Sequence, residues 1–425
     1  MSAWLLISFF VLLFLGVPIA MSLGLSAMGG ILFLGGGSTV TIAQRMFEGM
    51  NSFALLAIPL YTFAGFTMSK GGISKRLMDF CYSIVGHIYG GLAHVNVLSS
   101  MIFAGISGSA VADTAGVSGM FMPEMVRKGY SKNFTVAVTA ISSTIGIIIP
   151  PSIPMVVIAG ICGISTGKLF LGGIIPGVLC GLAQMIVSYF MAKKEGVPKE
   201  PGHFTIGPVL HGLWESWPAL LMPIIIVGTI TMGIVSPTEA GVIAVVYGLF
   251  AGGIIYRELK WEDIKFAFAE TVRTSGRIFI VIGAAKLYTV MLTTAGFDKW
   301  VAKTMLGFST NPTVILIVIL LIFFIVTMFM ESIATLTLFM PILYPIALGV
   351  GINPIVLSVL ITVVIGIGLV TPPVGMCIYV ACDLMDTTVG EVFPTLVPFI
   401  AATFVCIALM VAFPQLILLP TYLMA

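Results

Sequence analysis

Two stretches of the sequence, Gly105-Ile106-Ser107-Gly108-Ser109 and Glu331-Ser332-Ile333-Ala334-Thr335, are short polar breaks inside apolar sequence. Each is followed by two adjacent prolines, Pro150-Pro151 in one case and Pro372-Pro373 in the other. A break of this kind inside a bilayer frees backbone N–H and C=O groups that lipid cannot satisfy, so it persists only where it lines a site enclosed by protein. We therefore predict that the two breaks form the two halves of one binding site.

The composition around these breaks is that of a membrane protein. Of the 425 residues, 59% are hydrophobic and 8% are charged, whereas about 25% of the residues of a soluble domain are charged. The formal net charge of +2 is scattered and gives no indication of a nucleic-acid partner. We predict an all-α polytopic membrane protein that is embedded in the lipid bilayer through most of its length.

Landmarks of the first half recur in the second half, in the same order and at a nearly constant spacing. The pairs are Pro18 with Pro237, Leu60-Tyr61-Thr62 with Leu287-Tyr288-Thr289, Ser107 with Ser332, Pro123 with Pro341, Pro150-Pro151 with Pro372-Pro373, and Pro176 with Pro394. An ordered series of this kind indicates an internal structural repeat. We place the two repeats at residues 1–215 and 216–425.

Apolar runs and Gly, Pro and Asn residues between them predict the same elements in each half. These are two helices, an amphipathic arm, a third helix, a re-entrant hairpin, a broken helix and a last helix. The hairpins are predicted at about residues 89–123 and 312–348, and the broken helices at residues 150–151 and 372–373. A hairpin that enters and leaves on one side leaves an odd number of spanning helices in each half, so the second half is predicted to be inverted.

The charges of the loops support the inverted arrangement. The loop after the first hairpin carries Arg127, Lys128 and Lys132, whereas its counterpart at residues 347–354 carries no Lys or Arg. The positive-inside rule assigns these two loops to opposite faces of the membrane. Both chain termini are then predicted to face outward, away from the cytoplasm.

A helix that is interrupted inside the membrane presents N–H groups that favour an anion and carbonyl groups that favour a cation. Serine and threonine hydroxyls near the breaks add neutral oxygen ligands. The candidates are Ser107, Ser109, Ser142, Ser143, Thr144, Gly146, Ser152, Ser332, Thr335, Thr337, Gly366, Gly368 and Thr371. Sites made only of oxygen atoms suit a hard monovalent cation such as Na⁺ better than a transition metal.

Three charged residues lie in apolar sequence, where a charge at the bilayer centre costs at least about 2.5–3.5 kcal/mol. Glu331, at the tip of the second hairpin, is the stronger candidate for contact with an ion or the substrate. Asp113, past the first tip, could equally cap a helix. Lys286 has a long side chain that can reach the interface, and we expect it to have a structural role.

Catalysis is not expected, although Gly105-Ile106-Ser107-Gly108 fits the Gly-x-Ser-Gly pattern of rhomboid-type intramembrane proteases. That chemistry needs a general base within hydrogen-bond reach of the serine, and we predict none of the four histidines on a later membrane helix. A nucleotide-binding motif and an organic-cofactor motif are also missing from the sequence. We therefore expect a transporter driven by an ion gradient or by another subunit, since two inverted halves suit alternating access better than a passive pore.

Four motifs together resemble the large membrane subunit of tripartite ATP-independent periplasmic (TRAP) transporters. They are Gly105-Ile106-Ser107-Gly108-Ser109-Ala110 with Asp113, Ile149-Pro150-Pro151-Ser152, Ser236-Pro237-Thr238-Glu239-Ala240, and Val370-Thr371-Pro372-Pro373-Val374-Gly375. The resemblance covers essentially the whole chain. It implies Na⁺-coupled import of an organic acid, of the C4-dicarboxylate or sialic acid class, across the bacterial inner membrane. It also implies an elevator mechanism, in which hairpins and broken helices move as a transport domain against a scaffold.

The resemblance also implies partners and site residues. A small four-helix membrane subunit and a periplasmic substrate-binding protein are expected, the former as a separate chain because no four-helix segment precedes Met1. Na⁺ is expected around Ser107, Ser109, Gly146, Pro150, Ser152, Thr335, Gly366, Gly368 and Thr371, and substrate around Ser109, Glu331, Ser332, Thr337, Pro151 and Pro373. Position 331 is Glu where many relatives would have Asp. The alternative is a one-component Na⁺/divalent-anion symporter, which shares the hairpins but needs no binding protein.

Overall fold

The computed structural model describes residues 1–34, 38–197 and 205–424, and every regular element in these ranges is a helix. Before residue 198 the helices are α1 (Ser2–Phe14), α2 (Ile19–Leu34), α3 (Val40–Met50), α4 (Ala57–Lys70), α5 (Ile73–Val85), α6 (Gly91–Ser107), α7 (Ala110–Arg127), α8 (Lys132–Ser143), α9 (Ile153–Cys162) and α10 (Thr166–Lys194). After residue 204 they are α11 (Ile206–Thr231), α12 (Pro237–Phe250), α13 (Trp261–Thr294), α14 (Phe297–Phe308), α15 (Pro312–Thr327), α16 (Ser332–Gly349), α17 (Pro354–Gly368), α18 (Met376–Asp383), α19 (Val389–Ala412) and α20 (Gln415–Leu418).

Both broken helices and both hairpins are present, which confirms the predicted fold class. The first broken helix consists of α8, a 3₁₀ turn at Thr144–Ile147, the proline pair and α9, and the second consists of α17, the proline pair and α18. Both Pro-Pro peptide bonds are cis. Proline donates no N–H and disfavours helical geometry in the preceding residue, so each helix ends before its proline pair. The hairpins are α6 with α7 and α15 with α16, whose legs pack against each other.

The helices form two bundles, and each bundle takes elements from both halves of the chain. The inner bundle contains the hairpins, the broken helices and the helices after them (residues 91–194 and 312–424). The outer bundle contains the remaining helices (residues 2–85 and 206–308). The bundles meet where α5 packs on α6 and where α13 packs on α16.

The centre of the inner bundle is made by the first parts of the two broken helices. Every residue of α8 from Phe134 to Ser143 is buried, as is every residue of α17 from Val356 to Gly368. Burial on every side places both helices in the protein core, and each of them ends a short distance before a proline pair. The first break is therefore held inside the molecule, whereas the second reaches the surface at Pro373 and Val374, which are exposed.

The arms differ from the prediction in two ways. In the second half the arm and the third helix form one unbroken helix, α13, whereas in the first half α3 ends at Asn51 and Ser52 is extended before α4 begins. No Pro or Asn interrupts residues 261–294, so the prediction of a separate arm there is wrong. A further amphipathic helix that the sequence analysis missed precedes each hairpin, α5 in the first half and α14 in the second.

Seven of the described helical segments are long and apolar enough to cross a membrane, and shorter apolar helices include the hairpin leg α6 and both α9 and α17. The seven are Phe53–Lys70, Thr166–Lys194, Ile206–Thr231, Pro237–Ile255, Trp261–Thr294, Ser332–Gly349 and Val389–Ala412. The chain is therefore a multi-pass membrane protein. The division at residue 215 and the inverted orientation of the second half stay predictions.

His211 lies on a candidate membrane helix, α11, so the prediction that none of the four histidines lies on a later membrane helix is wrong. It is exposed and faces Glu215, with 3.3 Å between its Nε2 and the carboxylate. The same helix reaches the hairpin at Pro223, whose ring would lie 2.6 Å from a Cβ at Gly105. At a rise of 1.5 Å per residue, His211 lies about 18 Å from Pro223 along the helix. It is not within reach of Ser107 as a general base.

Two buried tyrosines of the outer bundle join residues from the two halves. Tyr61 donates its hydroxyl hydrogen to the Pro237 carbonyl at 2.8 Å, and Tyr288 donates to the Leu5 carbonyl at 2.8 Å.

A hydrogen bond of this kind contributes about 0.5–1.5 kcal/mol. We expect Tyr288→Phe to lower the free energy of unfolding by about 1 kcal/mol, measured as a lower melting temperature in detergent. The control is Tyr379→Phe, because Tyr379 is exposed; equal melting temperatures for the two variants would contradict the prediction.

Candidate functional site

The tip of the first hairpin contacts the first proline pair through backbone atoms. After α6 ends at Ser107, Gly108 has φ +64°, in the left-handed region that favours glycine. The Ile153 N–H donates to the Gly108 carbonyl at 3.2 Å. A Cβ at Gly108 would lie 2.7 Å from the Pro151 carbonyl oxygen, closer than real Cβ atoms approach. Glycine at this position therefore lets the hairpin tip close on the break.

Asp113 is the carboxyl group enclosed by this contact, and it is 0% exposed. The Ser107 hydroxyl donates to its Oδ1, while its Oδ2 has no hydrogen-bond partner among the described residues. A Cβ at Gly146 would lie 2.0 Å from that Oδ2, so the free oxygen faces the end of the first broken helix. The N-cap of α7 is Ser109, whose hydroxyl accepts from the Ala112 N–H at 3.5 Å. Asp113 is therefore not a helix cap, and one carboxylate oxygen remains free.

The first break leaves a backbone carbonyl beside this carboxylate. Pro150 has no N–H, so the Gly146 carbonyl lacks the donor that a continuous helix would supply. The Ile147 carbonyl loses its donor at Pro151 in the same way, but it accepts from the Ser152 hydroxyl at 2.5 Å. The Gly146 carbonyl is therefore the better placed of the two to act as an oxygen ligand for a cation.

The tip of the second hairpin is capped by its own carboxylate. Glu331 is the N-cap of α16, and its Oε2 accepts from the N–H groups of Ile333 at 2.8 Å and Ala334 at 3.3 Å. Its Oε1 accepts from the Ser332 hydroxyl at 2.6 Å. The positive end of the helix dipole favours a carboxylate in this position. The capping role that the sequence analysis considered for Asp113 thus belongs to Glu331.

The second break differs from the first because its carbonyls are satisfied locally. The proline pair Pro372-Pro373 cannot donate to the carbonyls of Gly368 and Leu369. Those carbonyls accept instead from the N–H of Thr371 at 3.2 Å and the N–H of Cys377 at 2.9 Å. Oxygen ligands at this break would therefore come from side chains and from rearranged backbone more than from free carbonyls.

Two glycines of α17 allow close packing around the second break. A Cβ at Gly368 would lie 2.6 Å from the Thr327 Cβ, at the end of the first leg of the second hairpin. A Cβ at Gly366 would lie 3.2 Å from the Thr144 Cβ, in the turn that ends the first broken helix. Gly366 therefore lets the two broken helices touch, which brings the two breaks to one place.

Cys377 is buried directly after the second break. It lies in the first turn of α18 and is 0% exposed. The helix that carries it, α18, packs on α7 of the first hairpin, so this part of the second break lies against the first hairpin. Free cysteine is common in protein cores, so only its place directly after the second break could have marked it as a site residue.

The predicted site residues fall into three places. Around Asp113 and the first break lie Ser107, Ser109, Gly146, Pro150, Pro151 and Ser152. At the second tip and break lie Glu331, Ser332, Thr335, Gly366, Gly368, Thr371 and Pro373, the last of which is exposed. Thr337 lies elsewhere: it lines a cavity of about 470 Å³ between the two bundles, whose lining includes neither Ser109 nor Glu331.

Comparison with known proteins relates this arrangement to one transporter family. Residues 6–416 match the sequence model of the family described as tripartite ATP-independent periplasmic transporter, DctM component. The sialic acid TRAP transporter large permease protein SiaM of Vibrio cholerae is 35% identical, over 96% of this chain and 95% of that protein. The C4-dicarboxylate TRAP transporter large permease protein DctM of Pseudomonas aeruginosa is 35% identical, over 95% of this chain and 94% of that protein.

A longer relative and two solved structures complete the comparison. The isethionate TRAP transporter permease protein DctMQ of Oleidesulfovibrio alaskensis is 37% identical over 92% of this chain, which spans 62% of the length of that relative. The fold is similar to that of the YdaH transporter of Alcanivorax borkumensis, with TM-score 0.60 and 13% identity over 88% of both chains. It is also similar to MtrF of Neisseria gonorrhoeae, with TM-score 0.57 and 13% identity over 88% of this chain and 84% of that one.

Proposed function

The chain belongs to the DctM component family of tripartite ATP-independent periplasmic transporters, and from this premise we propose that it imports an organic acid by Na⁺ symport. It is a transporter of this family and not an enzyme. The relatives described above are named for sialic acid, a C4-dicarboxylate and isethionate. All three substrates are anions with a carboxylate or a sulfonate group, which is the substrate class we propose here.

The observation that carries the proposal is the free Oδ2 of Asp113. A buried carboxylate oxygen with no donor is unfavourable, and a cation held by this oxygen and the Gly146 carbonyl removes that penalty. Carboxylate and carbonyl oxygen atoms are hard ligands, which suit a cation such as Na⁺. The Ser107 hydroxyl, bonded to the other carboxylate oxygen, orients the carboxyl group toward Gly146.

We place the first Na⁺ at this point and a second one at the second break. The first has Asp113 and the Gly146 carbonyl as its principal ligands, with further oxygen atoms supplied by the neighbouring residues of the tip and the break: Ser107, Ser109, Pro150 and Ser152. The second Na⁺ is placed around Thr335, Gly366, Gly368 and Thr371, because the internal repeat makes the second break the counterpart of the first. The Thr371 hydroxyl donates its hydrogen to the Ile367 carbonyl at 2.7 Å, which leaves its oxygen lone pairs available to bind Na⁺.

The substrate anion is proposed to lie at the N-terminus of α7, beside Ser109. Helix N-termini attract anions because their first N–H groups lack partners and the helix dipole is positive there. The N-terminus of α16 is already occupied by the Glu331 carboxylate, whereas that of α7 is closed only by the 3.5 Å bond from Ala112 to Ser109. Ser332, Pro151 and Pro373 are proposed as the other substrate contacts at this point, and Thr337 is proposed as a contact in the separate cavity between the two bundles.

The proposal extends to the partners and the motion of the protein. We propose that the chain lies in a bacterial inner membrane, with both termini periplasmic, and works with a small four-helix membrane subunit and a periplasmic substrate-binding protein. The inner bundle is proposed to move as an elevator against the outer bundle. The grouping of both hairpins and both broken helices in one bundle supports this part of the proposal.

Uptake into liposomes tests the proposal. The chain and its small subunit are reconstituted with an inward Na⁺ gradient, and the cognate binding protein supplies radiolabelled sialic acid, succinate or isethionate. We expect uptake of one of these acids that requires both Na⁺ and the binding protein. Equal uptake when choline replaces Na⁺ would exclude Na⁺ coupling, and no uptake of any of the three would exclude the proposed substrate class. Uptake of free acid by the chain alone would instead support the one-component symporter.

A further inference from the structure

The cavity of about 470 Å³ between the bundles is not part of the site at the hairpin tips. Helices α3 and α13 of the outer bundle form one side of it, and α9 and α16 of the inner bundle form the other. Binding sites for small molecules are commonly about 300–1,000 Å³. The cavity therefore has room for a small organic acid at the boundary between the two bundles.

Lys286 on α13 supplies a positive charge to this cavity. The residue is half-buried, and in the described part of the chain its ammonium group forms no hydrogen bond or ion pair. Its stem packs closely on α3, since a Cβ at Gly49 would lie 2.6 Å from the Lys286 Cβ. Ionisable residues within membrane helices face protein interiors or water-filled cavities and commonly mark the path of a substrate or ion. The structural role expected from the sequence does not account for the free ammonium group.

Thr289, one turn from Lys286, adds a second polar group without a partner. It lines the same cavity, is 6% exposed, and its hydroxyl has no hydrogen-bond partner among the described residues. Most buried side-chain polar groups have a partner, so this hydroxyl needs one. A lysine ammonium and a hydroxyl, both free and both lining one cavity, are suited to bind a carboxylate.

Glu48 also lines the cavity, but its negative charge is already paired. Its carboxylate lies 2.7 Å from the Arg45 guanidinium, and this hydrogen bond is the main reason that the pKa of Glu48 is lowered. Lys286 contributes to the same lowering from a greater distance. With Arg45 balancing Glu48, the charge left over in the cavity is that of Lys286, and it is positive.

We propose that Lys286 and Thr289 form an anion site on the outer bundle, which receives the acid group of the transported organic acid. The identity of the anion rests on the proposed function, whereas the site itself does not depend on Na⁺ coupling. Thr337 of α16 forms part of the facing wall. A movement of the inner bundle would therefore open or close the site, and the acid would meet the stationary Lys286 charge during its passage.

Thiol labelling tests the anion site without knowledge of the substrate. In the full chain with its small subunit, freed of native cysteines, Thr293→Cys places a thiol in the cavity lining. The rates of reaction with an anionic sulfonatoethyl methanethiosulfonate and with its cationic trimethylammonium analogue are compared. A positive cavity raises the local concentration of anions by about 10-fold or more, so the anionic reagent is favoured. Lys286→Gln is expected to abolish most of this preference, Glu48→Gln to increase it, and Lys286→Arg to retain it.

The matched control is Thr304→Cys on α14, which is exposed and outside the cavity. Its labelling ratio is expected to be the same with and without Lys286→Gln. If Lys286→Gln does not change the ratio of anionic to cationic labelling rates at Thr293→Cys, the anion site is wrong, whatever the result of the Na⁺ experiment.

Uptake kinetics test whether the anion is the transported acid. With the radiolabelled acid identified in the liposome experiment, Lys286→Gln is expected to raise KM by about 10-fold, and Lys286→Arg to restore it. An unchanged KM together with a changed labelling ratio overturns the assignment of the acid to this site. If uptake by the unmodified protein does not depend on Na⁺, the proposed function is contradicted, but the conclusion from the labelling experiment still holds.

Discussion

Asp113→Asn is expected to abolish Na⁺-driven uptake. The substitution keeps the size of the side chain and leaves an oxygen to accept from Ser107, but it removes the negative charge that we place against Na⁺. Removing one partner of a buried pair of opposite charges commonly costs about 3–5 kcal/mol. The initial rate of uptake at limiting Na⁺ should therefore fall by at least about 100-fold. The measurement is uptake into liposomes over a series of Na⁺ concentrations.

Asp383→Asn is the matched control, because Asp383 is an exposed carboxyl at the end of α18 in the same bundle. Its Na⁺ activation curve is expected to coincide with that of the unmodified protein. The size-exclusion profile and melting temperature of Asp113→Asn show whether the variant is folded. A folded Asp113→Asn variant with the normal Na⁺ dependence would remove Asp113 from the ion site.

Gly146→Ala is expected to produce the second largest loss. Its Cβ would lie 2.0 Å from the Asp113 Oδ2 and 3.0 Å from the Cγ, so the buried carboxyl group has to move away from the break. Overpacking of this kind costs about 1–3 kcal/mol. We expect a lower melting temperature, and a fall in apparent Na⁺ affinity of about 10-fold to 100-fold, measured by Na⁺ titration of uptake.

Gly116→Ala on the same hairpin serves as the comparison for this substitution. Gly116 lies one turn from Asp113, and a Cβ there would meet nothing within 4 Å. Its Na⁺ affinity is expected to be unchanged, while alanine replaces glycine in a helix in both variants. Equal Na⁺ affinities for Gly146→Ala and Gly116→Ala would show that the carboxyl group does not bind the ion where we place it.

The sequence was sufficient to predict the interruptions that define the fold. Adjacent prolines cannot continue a helix, and Gly108 next to two serines is not suited to face lipid. The breaks could therefore be predicted from the local residue types alone. The structure accordingly contains two hairpins and two broken helices. The first hairpin extends to Arg127, beyond the predicted end at residue 123, because Pro123 is accommodated inside α7.

The roles of the charged residues could not be predicted in the same way, because they depend on contacts between distant segments. Nothing in the local sequence distinguishes the Glu331 carboxylate, which caps its own helix, from the Asp113 carboxylate, which faces Gly146 across a tertiary contact. Lys286 similarly has a free ammonium group only because α3, α9 and α16 enclose a cavity beside α13. Such assignments require knowledge of which helices are neighbours.

The contact between Gly366 and Thr144 also constrains how the chain can evolve. Because the two broken helices touch at a position with no side chain on one of them, neither half can drift in sequence independently of the other. In a hybrid protein that joins residues 1–215 of this chain to the second half of a relative, any side chain opposite Thr144 would press on it, because a Cβ at position 366 would already lie 3.2 Å from the Thr144 Cβ. Where the relative carries a larger residue, the hybrid should regain activity only after a compensating reduction in size at position 144.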